Sequence, residues 1–259
     1  MRDNPDETMA LIADLTAATD PKLRELARRL AGRLFLDVSR RGPMRPRGIG
    51  KIVEQKYRPD AGDLDLDASL DGLVDSGGRG RAIDPERLRI RGWAKPGTAL
   101  CLLVDRSGSM GGKPLASSAV AAAAVSFWAP LDYSVVAFGK DMVVAKSQDA
   151  EKSSDRVVND VLALRGFGTT DLAGALLVAA QQLQRSRAGR KIVVVLSDCR
   201  STVDGDPLTA AAALDEVVVI APTGDSAAAE VFAQRSGARM TTASGPAAVV
   251  DALGVLLEW

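Results

Sequence analysis

Asp105, Ser107 and Ser109 place one carboxylate and two hydroxyls at alternate positions of C-L-L-V-D-R-S-G-S-M, Cys101 to Met110. Carboxylate, hydroxyl and water are hard oxygen donors, and this clustering suits a hard cation. Cys101 to Val104 is a continuous apolar run, as expected of a strand buried on both faces of a parallel sheet. Lys113-Pro114 and an Ala-rich segment follow, and proline favours the first turn of a helix. The donors therefore fall on a strand-to-helix loop at the carboxyl end of a strand, where open α/β sheets bind ligands. Two later loops carry oxygen donors in a comparable setting. Thr169-Thr170-Asp171 precedes a helix starting near Leu172, and Ser197-Asp198 follows the apolar run K-I-V-V-V-L. Each also has a plain structural reading, Thr170 or Asp171 as a helix N-cap and Asp198 as the cap of a turn.

The elements that must position these loops alternate regularly from residue 97 to the end. Strands are expected at Ala99 to Asp105, Asp132 to Phe138, Met142 to Ala145, Lys191 to Ser197, Glu216 to Ala221 and about Ala238 to Thr242. Helices are expected at Pro114 to Trp128, Ser154 to Leu164, Leu172 to Arg185, Pro207 to Leu214, Ser226 to Ser236 and Pro246 to Leu257. Gly139-Lys140-Asp141 reads as a tight hairpin, which makes the short third strand an antiparallel edge. The pattern is a doubly wound α/β fold, a mostly parallel six-stranded sheet flanked by helices. In strand order 3-2-1-4-5-6 the chain reverses between the first and fourth strands. Asp105 ends one and Asp198 the other, so both point into a single crevice.

Residues 1–96 read as a smaller helical and extended region. Two helices are expected, Asp6 to Thr19 and Pro21 to Val38, the second with Leu23, Leu26, Leu30 and Leu34 between arginines. Arg40 to Gly50 concentrates four arginines among Pro and Gly, a solvated linker or a docking strip for an acidic surface. Asp63, Asp65 and Asp67 invite a calcium-loop reading, which fails because Ala68 and Val74 stand where glycine and glutamate are required. Alternating Leu and Asp instead predicts a short half-buried strand, capped by Asp67 into a helical turn.

Composition removes most enzymatic readings. His is absent, which excludes Ser-His-Asp and Cys-His machinery and imidazole-bound zinc. Ser107 has neither a His nor a Ser-x-x-Lys base to activate it. Cys101 and Cys199 are the only cysteines, and the strand reading sets them well beyond the ~7 Å Cα limit for a disulfide, as small core residues. Lys plus Arg equals Asp plus Glu at 33 each, so no global field favours nucleic acid or membrane. The hydrophobic share of 46% is ample for a core. No stretch ends in the Lys-Ser/Thr of a phosphate loop. The charged amino terminus and the lack of a run approaching ~20 apolar residues lead us to expect a cytoplasmic protein.

D-R-S-G-S-M at Asp105 to Met110, G-T-T-D-L at Gly168 to Leu172 and L-S-D at Leu196 to Asp198 resemble the three loops of a von Willebrand factor A domain. The resemblance covers about residues 97–259 and implies a Rossmann-like fold with a metal-ion-dependent adhesion site. It implies that Asp105, Ser107, Ser109, Thr170 and Asp198 hold Mg²⁺, or Mn²⁺, directly or through water. Thr169 beside Thr170 leaves a one-residue ambiguity, and Cys199 stands where the family usually has Gly. A partner's Glu or Asp would supply the last ligand. The lead-in, with G-D-L-D-L-D-A-S-L-D and R-A-I-D-P-E-R-L-R-I-R, resembles bacterial intracellular members, the CoxE-like proteins and the D-type subunits of magnesium and cobalt chelatases. That implies a partner AAA+ ATPase, often of the MoxR type. The first expectation is a non-enzymatic adaptor coupling such an ATPase to a client protein. The alternative is a subunit of a metal-chelatase complex, although residues 1–96 are too few for the AAA-like region those subunits usually carry. Extracellular adhesion conflicts with the expected location.

Overall fold

A computed structural model describes residues 5–16, 35, 38, 51–56, 63–70, 89–94, 97–106, 112–164, 166 and 168–257. The chain divides into two compact units, residues 1–46 with 98–259, and residues 47–97.

The larger unit is built on a six-stranded sheet. Its strands are β4 (Thr98–Asp105), β5 (Tyr133–Phe138), β6 (Met142–Lys146), β7 (Arg190–Leu196), β8 (Glu216–Pro222) and β9 (Arg239–Ala243). Their order is β6-β5-β4-β7-β8-β9, and only β6 runs antiparallel, closing the edge through the 139–141 hairpin. Fold class, strand order and antiparallel edge are those expected from the sequence. Along β4 the side chains alternate between two cores. Leu100, Leu102 and Val104 join one, and Ala99, Cys101 and Leu103 the other.

Helices cover both faces: α1 (Pro5–Leu15), α2 (Gly112–Trp128), α3 (Ser154–Leu162), α4 (Leu172–Gln184), α5 (Pro207–Ala212), α6 (Ala227–Ser236) and α7 (Pro246–Leu257). Helix α2 is apolar nearly all round, with Ala119 to Val125 buried without a break, because it packs against α1, α3 and α7 as well as the sheet. Cys101 and Cys199 are both buried and free.

The expected division of the sequence at residue 97 and the packing differ in one respect. Helix α1 belongs with the α/β unit, because Met9, Ile12, Ala13 and Thr16 recur at three- and four-residue spacing and are buried in its core. Thr16 Oγ1 donates to Ala13 O at 2.6 Å and to Leu162 O at 3.3 Å. Asp6 Oδ1 accepts the Ala247 N–H at 3.0 Å, capping α7 from another helix. Gly245 permits this approach, since a Cβ there would overlap the Asp6 carboxylate. Of the second expected helix, Phe35 and Val38 are described, both helical, with Phe35 fully buried. The Arg40 to Gly50 strip lies outside the described residues.

The smaller unit holds an antiparallel sheet of order β1-β3-β2, from β1 (Lys51–Lys56), β2 (Asp63–Leu64) and β3 (Arg89–Ala94). The expected strand and helical turn are present at 63–64 and 66–70, but the cap is Asp65 rather than Asp67. Asp65 Oδ1 accepts the Ala68 N–H at 3.2 Å. The turn begins at Leu66, so the residue before it takes the capping position, while Asp67 already lies within the turn, exposed.

At the amino ends of β7, β8 and β9, Glu216 bridges Arg190 and Arg239. Arg190 binds it in a two-pronged manner, Nε at 2.9 Å and Nη2 at 2.8 Å. Burial opposes the charge on Glu216, but the hydrogen bonds and charges of both guanidiniums outweigh it, holding the carboxyl below its ordinary 4.5. A depressed acid stabilises the fold above its unfolded pKa and loses that contribution as pH falls through the folded value. Glu216→Gln is accordingly expected to flatten the acid limb of stability below about pH 4.5, measured by urea unfolding across pH. For α1, Met9→Ala should lower the unfolding free energy by about 2–5 kcal/mol in urea. A loss under about 0.5 kcal/mol would detach α1 from the core.

Candidate metal centre at the switch point

Parallel pairing of β4 with β7 sets Val104 opposite Leu196, so Asp105 and Ser197 leave the sheet side by side. Ser197 Oγ donates to Asp105 Oδ2 at 2.5 Å and accepts the Cys199 N–H at 2.8 Å. Asp198 Oδ1 accepts the Arg200 N–H at 3.0 Å, which folds the third loop into an Asx turn. The expected turn-capping role of Asp198 is therefore present. It occupies one oxygen of a carboxylate that can accept at both. Cys199 has φ 60°, the left-handed conformation that glycine adopts most readily. Burial, then the carboxylates of Asp198 and Asp105, push its thiol up to about 12, against a smaller opposing hydrogen bond from Ser197. Both acids thus act on one buried thiol.

The second loop is tied to the third through its backbone. Thr170 N–H donates to Thr202 Oγ1 at 2.8 Å, and Thr202 N–H returns a bond to Thr170 O at 3.0 Å. Ser201 Oγ donates to the same carbonyl at 3.3 Å. Thr170 is buried, and Asp171 is the N-cap of α4, accepting the Gly174 N–H at 2.8 Å. The β5–β6 hairpin closes the remaining side. Asp171 N–H donates to Gly139 O at 3.2 Å, Arg106 N–H to Phe138 O at 2.8 Å and Arg106 Nη2 to Asp141 O at 3.1 Å. Gly139 is wedged between the Arg106 side chain and Thr169 O, where a Cβ would press on both.

Asp105, Thr170 and Asp198 therefore lie on three loops joined by one chain of hydrogen bonds. Ser107 and Ser109 lie outside the described residues. Among the described residues no three Cys, Asp or Glu side chains gather to hold a metal, so a cation at the two aspartates would need hydroxyl or water partners as well. Thr169 Oγ1 is buried here without a hydrogen-bond partner, an oxygen suited to the hydration shell of a cation. With no imidazole in the chain and carboxylate and hydroxyl oxygens on the three loops, the donor set fits a hard divalent ion such as Mg²⁺ or Mn²⁺.

An open, doubly wound sheet with oxygen-bearing loops at its switch point defines a class of α/β ligand-binding domains. The family model of the von Willebrand factor type A domain matches residues 99–243, more than half of the chain, and the protein belongs to this family. No curated protein matches the chain. Among solved structures, an aerotolerance-related membrane protein from Bacteroides fragilis is similar at 14% identity, TM-score 0.49, over 62% of this chain and 98% of that one. The manganese-loaded TRAP protein of Plasmodium vivax is similar at 17% identity, TM-score 0.49, over 63% and 74%. A von Willebrand factor type A protein from Catenulispora acidiphila is similar at 13% identity, TM-score 0.46, over 63% and 42%.

The side chains that join these loops carry no ligand motif in the sequence. Ser197 was visible only as the residue before Asp198, and Thr202 had no motif. Arg106, the residue between the first aspartate and serine, is buried against the hairpin. Ser197→Ala should cost about 1–3 kcal/mol in urea unfolding, because it strands the buried Cys199 N–H. An unchanged midpoint and slope would show that this hydroxyl does not organise the loops.

Proposed function

We propose that the chain is a non-enzymatic, metal-dependent protein-binding adaptor. In this reading Asp105, Ser107, Ser109, Thr170 and Asp198 hold Mg²⁺, with Mn²⁺ as the substitute, and a partner's Asp or Glu completes the site. The supporting observation is the hydrogen-bonded chain from Asp105 through Ser197 to the third loop, and from Thr202 to Thr170. A cation held by two carboxylates and neutral hydroxyls supplies an electrophilic centre short of negative charge, which an incoming carboxylate satisfies. Ser197 fixes the orientation of Asp105, while the Thr170–Thr202 bonds fix the second loop. The amino end of α2, beginning at Gly112 after the first loop, adds a dipole that favours an anion. Domains of this family mediate protein interactions, which accords with a partner as the last ligand.

The finer assignment follows the lead-in resemblance. The partner is a MoxR-type AAA+ ATPase, and the client offers the acidic residue. The expected setting is cytoplasmic. No helix among the described residues is long and apolar enough to cross a membrane.

Calorimetric titration with Mg²⁺ tests the metal assignment: wild type should give a binding isotherm and Asp105→Ala none, and equal heats would overturn it. Ser197→Ala should bind about 10–100-fold more weakly. Affinity purification with Mg²⁺ and ATP should recover a MoxR-type ATPase, with capture falling in EDTA while circular dichroism is unchanged. Capture indifferent to chelation would move the interface off the metal loops.

A further inference from the structure

The turn of the β5–β6 hairpin, residues 139–141, is held between two of the metal loops. Arg106, directly after Asp105, grips both of its ends. Its N–H donates to Phe138 O at 2.8 Å and its Nη2 to Asp141 O at 3.1 Å. From the second loop, Asp171 N–H donates to Gly139 O at 3.2 Å, one residue beyond Thr170. Gly139 is buried between them. A Cβ there would lie 3.2 Å from Arg106 Cγ and 3.3 Å from Thr169 O, closer than ordinary contact. The loop of Asp105 and the loop of Thr170 thus meet across one glycine.

Arg106 is only 6% exposed. Arginine is seldom buried so deeply, and an apolar side chain would fill the space without desolvating a charge. What the guanidinium adds is direction, because a planar group bonded at its tip fixes the distance from its own backbone to the hairpin. Ion size is the property of the site most sensitive to that distance. Mg²⁺ demands near-ideal octahedral geometry at about 2.0–2.1 Å, whereas Ca²⁺ accepts irregular geometry at about 2.3–2.6 Å. The difference, a few tenths of an ångström, is comparable to the displacement that a Cβ at residue 139 would force on its neighbours. We propose that Arg106 and Gly139 are positioning residues that hold the Asp105 and Thr170 loops close enough to favour Mg²⁺ over Ca²⁺. A guanidinium and a glycine offer a cation no side-chain oxygen, so both act through the loops. This role presupposes the metal reading above.

The test titrates the full chain, as wild type, Arg106→Met and Gly139→Ala, with MgCl₂ and separately with CaCl₂ by calorimetry. Methionine keeps an apolar stem and removes the donors, and exposed Asp141 can turn its carbonyl to water instead. Both variants should bind Mg²⁺ about tenfold more weakly while Ca²⁺ affinity falls less than about threefold, which shifts the preference between the ions. General loosening of the fold would weaken both ions together. A second readout needs no metal: in EDTA, hydrogen exchange of the Asp171 amide should quicken in Arg106→Met, because the hairpin that binds it is released. An unchanged exchange rate, or an unchanged ratio of Mg²⁺ to Ca²⁺ affinity in both variants, would overturn this role and leave the metal reading standing. Absence of any isotherm in wild type would overturn the metal reading and this role with it.

Discussion

The pairing of β4 with β7 is the constraint on which the rest of the site depends. These strands are neighbours in space, but β5, β6, α2, α3 and α4 lie between them in the chain. Their register is weakly specified by hydrophobicity alone. Leu100, Leu102 and Val104 face one apolar core, and Ala99, Cys101 and Leu103 face another. A one-residue slip exchanges the faces of a strand, a change that two apolar faces tolerate better than one apolar and one polar face would. The polar groups at the carboxyl ends are less forgiving. Only the observed register, Val104 opposite Leu196, lets Ser197 reach Asp105 while its oxygen also takes the Cys199 N–H. The hydrogen bond at the site therefore specifies the sheet as much as the sheet builds the site.

Several features were legible because they rest on local chemistry. Short β-branched apolar runs such as Val193 to Val195 read as strands covered on both faces. Gly139-Lys140-Asp141 fixed the antiparallel edge, and the reversal of strand order followed from connection rules. What was illegible depended on partners distant in sequence. Ser197 and Thr202 matter because of Asp105 and Thr170, 92 and 32 residues away. Helix α1 carries an ordinary amphipathic stripe, and nothing in that stripe names α2 and α7 as its partners. Strands β1 and β3, K-I-V-E-Q-K and R-I-R-G-W-A, mix charge with too few apolar residues for their pairing to be read locally.

Cys199 shows how the third loop keeps its shape with an unusual residue. The left-handed conformation costs a non-glycine residue roughly 1–2 kcal/mol. The side chain is nearly buried and joins the core beneath α4, α5 and α6, a gain of similar order. The two effects oppose each other, so the loop holds the backbone path of a glycine while gaining a side chain that packs. Its proximity to Asp105 and Asp198 does not make it reactive, because burial and both carboxylates disfavour the thiolate.

The family match ends at residue 243 and begins at 99, yet the core does not stop at those limits. Helix α1 lies before the match and α7 after it, and the two are joined where Asp6 caps α7 at Ala247. Arg190 Nη1 reaches Leu257 O at 3.5 Å, holding the far end of α7 to the sheet. Both helices pack on α2, whose amino end follows the loop that begins at Asp105. A helix buried on all sides has little freedom to shift, because interiors are close-packed and resist small displacements. The flanking helices thus act on the site indirectly, by fixing the element into which its first loop runs.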